Sequence, residues 1–146
     1  MSQAFKGSAA EISVPPSLDV KLAVSSPSYQ AYQILHLGFT IAPIVAGLDK
    51  FFNLLVNWHQ YLPPWVDSLI GGRGSQLMLA VGVIEIVAGL GVAVKPKVFA
   101  YVVAAWLLLI VVNLLTIPGY FDIALRDFGL ALGALALARL SGEFDR

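Results

Sequence analysis

The chain has 146 residues, 58% of them hydrophobic and only 12% charged, with as many basic as acidic side chains. A soluble domain carries roughly 25% charged residues, so the composition points to one compact unit made for lipid, and balanced charge without a basic cluster excludes the electrostatic footprint of nucleic-acid binding. With no cysteine, the chain's own chemistry excludes disulfide exchange, thiolate metal ligation and iron–sulfur clusters; its two histidines, His36 and His59, lie in different contexts, so neither a metal site nor a haem clamp is expected.

Residues 1–28 carry Lys6, Glu11, Asp19 and Lys21 among Ser, Ala and Pro, and they lack the apolar run and cleavage pattern of a secretory signal. They read as a polar, partly disordered tail before an uncleaved anchor. The first apolar span, 29–50, follows Ser25-Ser26-Pro27-Ser28, which can start a helix, and contains Pro43, which should bend it. Residues 51–70 hold Phe51, Phe52, Trp58, Tyr61 and Trp65 around Pro63-Pro64. Aromatic rings with a polar edge favour the headgroup zone, so this segment is expected to lie along the membrane surface and roof the bundle.

The second span, 75–94, lies between Gly71-Gly72 and Lys95-Pro96-Lys97, and the third, 98–117, stops at Pro118-Gly119. The fourth, 120–140, is the least apolar, with Asp122, Arg126 and Asp127 in its first turns, and 141–146 form a short tail. About 20 apolar residues at 1.5 Å each span roughly 30 Å of hydrocarbon. The sequence therefore predicts an all-α fold, an integral membrane four-helix bundle over 29–140 with an interfacial aromatic segment between helices 1 and 2. Four crossings place both termini on one side. That side would hold Lys6, Lys21, Lys95, Lys97, Arg139 and Arg146 against Lys50, Arg73 and Arg126 opposite, so the positive-inside bias predicts cytoplasmic termini.

Glu85 is alone among the apolar residues from Gly74 to Val94. A carboxylate near the bilayer centre costs about 2.5 kcal/mol or more, so it needs a partner, a proton or a cavity. Small residues mark packing faces in lipid, because tails supply no hydrophobic drive for helix association. At about 100° per residue, Gly38, Ala42, Ala46 and Asp49 share one stripe, Gly82, Glu85 and Gly89 a second, and Arg126, Gly129, Gly133 and Ala136 a third. Asn113 lies with Trp106 and Thr116. Counting about 1.5 Å per residue from the outer ends places Glu85, Asn113 and Arg126 roughly 15, 6 and 8 Å deep. These positions predict a polar pocket opening outward and lined by Asp49, Glu85, Asn113 and Arg126, with Lys50, Asp127 and His59 at its edge. A second reading stands beside it: Arg126 neutralises Glu85 or Asp49 in an ion pair that only fixes helix register. His36 is expected to be structural.

The run Gly82-Val83-Ile84-Glu85-Ile86-Val87-Ala88-Gly89-Leu90 resembles the Gly-x-x-Glu-x-x-x-Gly signature of the DoxX family. Gly47-Leu48-Asp49-Lys50-Phe51 is similar to that family's Gly-x-x-Lys-Phe end, and Arg126-Asp127-Phe128-Gly129 to its Arg-Asp-hydrophobic-Gly fourth helix. The resemblance covers Tyr29 to Leu140. It implies a four-helix protein of the bacterial cytoplasmic membrane associated with quinone-linked oxidation, since members act as subunits of a thiosulfate:quinone oxidoreductase and others assemble with secreted redox-defence proteins. Two functional expectations follow. One is a quinone-linked redox subunit in which Arg126 and Asn113 donate to the carbonyl oxygens and Glu85 exchanges the proton, electrons coming from a partner. The other is a non-catalytic assembly or docking subunit held in a larger complex or a homo-oligomer. A transporter ranks third, since the chain has no evident internal repeat.

Overall fold

The computed structural model describes residues 26–145 together with Pro15 and Ser17; the expected tail therefore lies almost wholly outside the described residues. Those residues are mostly helical, with no strand among them. Helix α1 spans Pro27–Phe52, a 3-10 turn Trp58–Tyr61, α2 Pro64–Leu69, α3 Gly74–Val94, α4 Pro96–Leu115 and α5 Phe121–Phe144. Helices α1, α3 and α4 are each long and apolar enough to cross a membrane. Helix α5 is continuous, but its apolar run is broken by Asp122, Arg126, Asp127, Arg139 and Glu143. The apolar outward faces, Ile34 and Leu37 on α1 or Leu109 and Val112 on α4, are exposed as lipid-facing surface would be.

Local chemistry sets the helix ends. The Ser26 hydroxyl accepts from the Tyr29 N–H at 3.2 Å, and Pro27 at the first helical position lacks an N–H that would have had no acceptor. Pro96 opens α4 in the same way, two residues before the predicted start of the third span. The helix expected over 120–140 continues past Leu140 to Phe144, where Ser141 is buried and donates to the Leu137 carbonyl at 2.7 Å. Asn53 ends α1 in the left-handed region at φ 51°, its N–H bonding the Asp49 carbonyl at 2.6 Å. Gly71 and Gly72, at φ 68° and 75°, turn the chain from α2 into α3, and Asp67 secures the turn by accepting the Gly74 N–H at 2.9 Å.

The long helices form two intimate pairs, α1 with α3 and α4 with α5, joined less closely to each other. The first pair is close because glycines face each other: a Cβ on Gly47 would stand 2.5 Å from the Gly82 carbonyl oxygen, and one on Gly89 2.8 Å from that of Thr40. Close backbone approach is how helices associate in lipid. The two pairs are bolted together at one end, where α1 begins, α3 ends, α4 begins and α5 ends. There Val92, Ala100, Ala134 and Leu137 reach 0% exposure. Tyr29 meets Phe144 edge-on with centroids 5.3 Å apart, and Tyr32 stacks on His36 at 5.4 Å. The His36 Nε2–H donates to the Val92 carbonyl at 2.9 Å, tying α1 to the end of α3.

Candidate functional site: a cavity between the helix pairs

Beyond the closed end the pairs separate around a cavity of about 720 Å³. All four long helices line it, through residues such as Phe39, Met78, Val103 and Ile123, and Trp58, Tyr61, Leu62 and Val66 of the aromatic segment close its far end. The Asn113 amide holds that cover by donating to the Tyr61 carbonyl at 3.0 Å. Tyr61 also meets Tyr120 edge-on, centroids 5.2 Å apart, so the cover is fastened to the start of α5 as well.

The most deeply buried polar feature of the wall is an ion pair within the first helix pair. Lys50 Nζ lies 2.5 Å from Glu85 Oε2, the two side chains only 3% and 10% exposed, and both line the cavity. The Trp58 ring covers the ammonium at 3.6 Å, a cation–π contact that replaces part of its lost hydration. The Trp58 indole N–H donates to Asp49 Oδ2 at 2.7 Å, and Asp49 also accepts the Leu54 and Leu55 N–H groups at 2.9 and 3.0 Å. Asp49 thus organises the chain leaving α1, the loop positions Trp58, and Trp58 holds Lys50 against Glu85.

The arrangement differs in phase from the sequence expectation at two adjacent pairs. Asp49, expected in the pocket wall, faces the loop, and Lys50, expected at the rim, faces inward. The cause is the row of loop donors that captures the Asp49 carboxylate, leaving its neighbour about 100° around the helix to meet Glu85. On α5, Asp127 is buried and Arg126 has a side chain 64% exposed, because the packed face runs through Ala124, Asp127, Ala131 and Ala134, one position off the predicted stripe. Arg126 Nε donates to Asp127 Oδ1 at 3.0 Å, and both residues still reach the cavity wall. Glu85 is thus neutralised by Lys50, not by Arg126. His59 is exposed beside the start of α3, close to Gly74, and does not line the cavity. Thr116 is also outside it, donating to the Asn113 carbonyl at 2.7 Å.

The expected small-residue stripe of α1 has another role. Gly38, Ala42 and Ala46 line the cavity and also a shallow groove on the outer face of α1, and a Cβ on Gly38 would meet nothing within 4 Å. These small residues form a low edge between the cavity and the surface that carries Leu37, Ile41 and Val45. Two residues that sequence reasoning left outside the pocket also belong to it. Trp58 reads from the sequence as interfacial, and its contact with Lys50 is set by the loop that ties it to Asp49. Trp106 was noted only for its stripe; its ring lines the wall, and its Nε1–H is sealed inside without an acceptor, alone in this among the described residues. No group of His, Asp or Glu among the described residues is placed to hold a metal ion. No protein-family model, curated protein or solved structure matches this chain.

Proposed function

We propose that the chain is a DoxX-like integral membrane protein of a bacterial inner membrane, a small subunit of quinone-linked redox metabolism that holds the quinone head group in the cavity between its helix pairs. In this reading all four long helices cross the bilayer, α5 keeping Asp127 inward and Arg126 at the margin, with both termini cytoplasmic. One observation carries it: a buried lysine–carboxylate pair on the wall of a largely apolar cavity bordered by the small residues Gly38, Ala42 and Ala46. Intramembrane ionisable residues mark sites by default. The volume lies within the roughly 300–1,000 Å³ of small-molecule pockets, and the low Gly38–Ala42–Ala46 edge gives a lipid-soluble molecule a way in from the bilayer.

A quinone, when bound, supplies a two-electron couple that takes up two protons. The chain's residues would hold and position it. Lys50 would donate to a head-group oxygen, Glu85 would hold or release a proton at its carboxylate, and the aliphatic walls would enclose the start of the tail. The electron donor would be a partner protein. Gentle purification followed by quinone extraction tests this directly. Wild type is expected to retain quinone, and Glu85→Gln and Lys50→Gln to lose most of it; equal retention in all three would reject the site.

A second reading is favoured by the closure of the ion pair within α1 and α3: a non-catalytic docking subunit in which the charges set helix register. Its mark would be no retained small molecule together with stable migration in a larger complex on native gels in mild detergent.

A further inference from the structure

We propose that the Lys50–Glu85 pair selects a head group that bears a hydroxyl, as in a phenol or the reduced dihydroxy form of a quinone, carried on a bilayer-soluble apolar body. The inference rests on the reading of the cavity as a ligand site and goes beyond it by naming the functional group recognised. An ammonium has three N–H donors and a carboxylate two acceptor oxygens. The structure uses only part of that capacity. Lys50 Nζ donates to Glu85 Oε2 and lies against the Trp58 ring, and no other acceptor meets it among the described residues. Glu85 Oε1 receives no donor at all among them, and Glu85, its side chain 10% exposed, is part of the cavity wall.

One pair thus presents a spare charged donor and a spare charged acceptor on the wall of the same largely apolar cavity, where Arg126 and Asp127 bond each other and Asn113 bonds the Tyr61 carbonyl. A hydroxyl answers both, since its oxygen accepts from Lys50 while its hydrogen is donated to Glu85 Oε1. A carbonyl or an ether answers only Lys50 and leaves Oε1 bare. A carboxylate would meet the Glu85 charge. Hydrogen bonds to charged partners are the stronger kind, and they gain further strength where water is excluded. The pair is pre-positioned by Trp58 and Asp49, so little ordering remains to be done on binding.

The test compares two probes that differ by one O–H: 4-dodecylphenol and its methyl ether, 4-dodecylanisole. Both are offered at equal concentration to the full chain in lipid nanodiscs, and occupancy is read by native mass spectrometry. Wild type is expected to favour the phenol by about tenfold or more, the factor expected of a hydrogen bond to a charged group. In Lys50→Gln/Glu85→Gln, which removes both charges together, the preference should shrink to within about twofold. Equal occupancy by the two probes in wild type overturns the proposal, the pair then bonding water alone, and this comparison needs no variant to fold. A preference that survives intact in the double variant overturns it as well. Decylubiquinone in the same preparation separates the two claims. Its binding, oxidised or reduced, without a phenol preference leaves the quinone reading standing and removes this one; a phenol preference with neither form bound does the reverse.

Discussion

The two ends of the bundle are made by the same four helices from the same kinds of residue, yet one is filled and the other is hollow. At the closed end Val92, Ala100, Ala134 and Leu137 are sealed, and rings from α1 and α5 interlock above them. At the open end the walls stand around about 720 Å³ and carry a buried lysine and a buried glutamate. Close packing gains dispersion energy from every contact, and a void forfeits it. Buried charges add a desolvation cost that their attraction only partly offsets. The closed end is therefore where this chain obtains its stability. The open end gives up stability that an occupant could return, which is the usual relation between a scaffold and a site.

That contrast can be broken most forcefully at the ion pair. Glu85→Leu leaves Lys50 buried without a counter-charge and should cost about 3–5 kcal/mol, measured as a fall in the midpoint of denaturant unfolding in mixed micelles. Lys50→Met/Glu85→Leu removes both charges and should recover most of the loss. If the single and double variants are equally unstable, the pair is not electrostatically coupled and the description of the open end is wrong. Leu137→Ala comes next. At the closed end it opens a cavity among residues with no exposure and should cost about 2–5 kcal/mol, while quinone retention in the surviving protein is unchanged.

The sequence made the broad outline legible because the apolar runs are long and their punctuation is strong. Ser26-Pro27, Gly71-Gly72, Lys95-Pro96 and Pro118-Gly119 all fall at observed helix boundaries or turns. It was also legible that Glu85 faces protein and not lipid, since it lies between Gly82 and Gly89 on the face that meets α1. The partner of Glu85 was not legible. A helical wheel gives relative angles along one helix, but it does not say which of two adjacent residues meets the neighbouring helix. At Asp49 and Lys50 the loop decides, through donors from Leu54, Leu55 and Trp58 that lie outside the helix. At Arg126 and Asp127 the alanine face of α5 decides, since Ala124, Asp127, Ala131 and Ala134 are buried together on it, while of the glycine stripe Gly133 meets Phe39. At Gly129, next to the Arg126–Asp127 pair, a Cβ would meet nothing within 4 Å.

The same enlargement made at both ends sharpens the contrast at its mildest. Ala134 has 0% exposure among close neighbours, whereas Ala42 lies on the low edge between the cavity and the outer groove. Ala134→Leu forces a larger side chain into filled space and should cost about 1–3 kcal/mol. Ala42→Leu meets open space on one side, so its cost should be below about 0.5 kcal/mol, the range of substitutions that touch nothing critical. Its effect should appear in access. A leucine raises the edge across which a lipid-soluble molecule would pass, so decylubiquinone should load more slowly into nanodiscs carrying Ala42→Leu while unfolding remains as in wild type. Equal costs for the two enlargements would mean that the open end is packed in solution, with no cavity there to enter. Unchanged loading with the expected stabilities would leave the cavity in place and move its entrance to the aromatic cover, where Trp58 and Tyr61 close the far end.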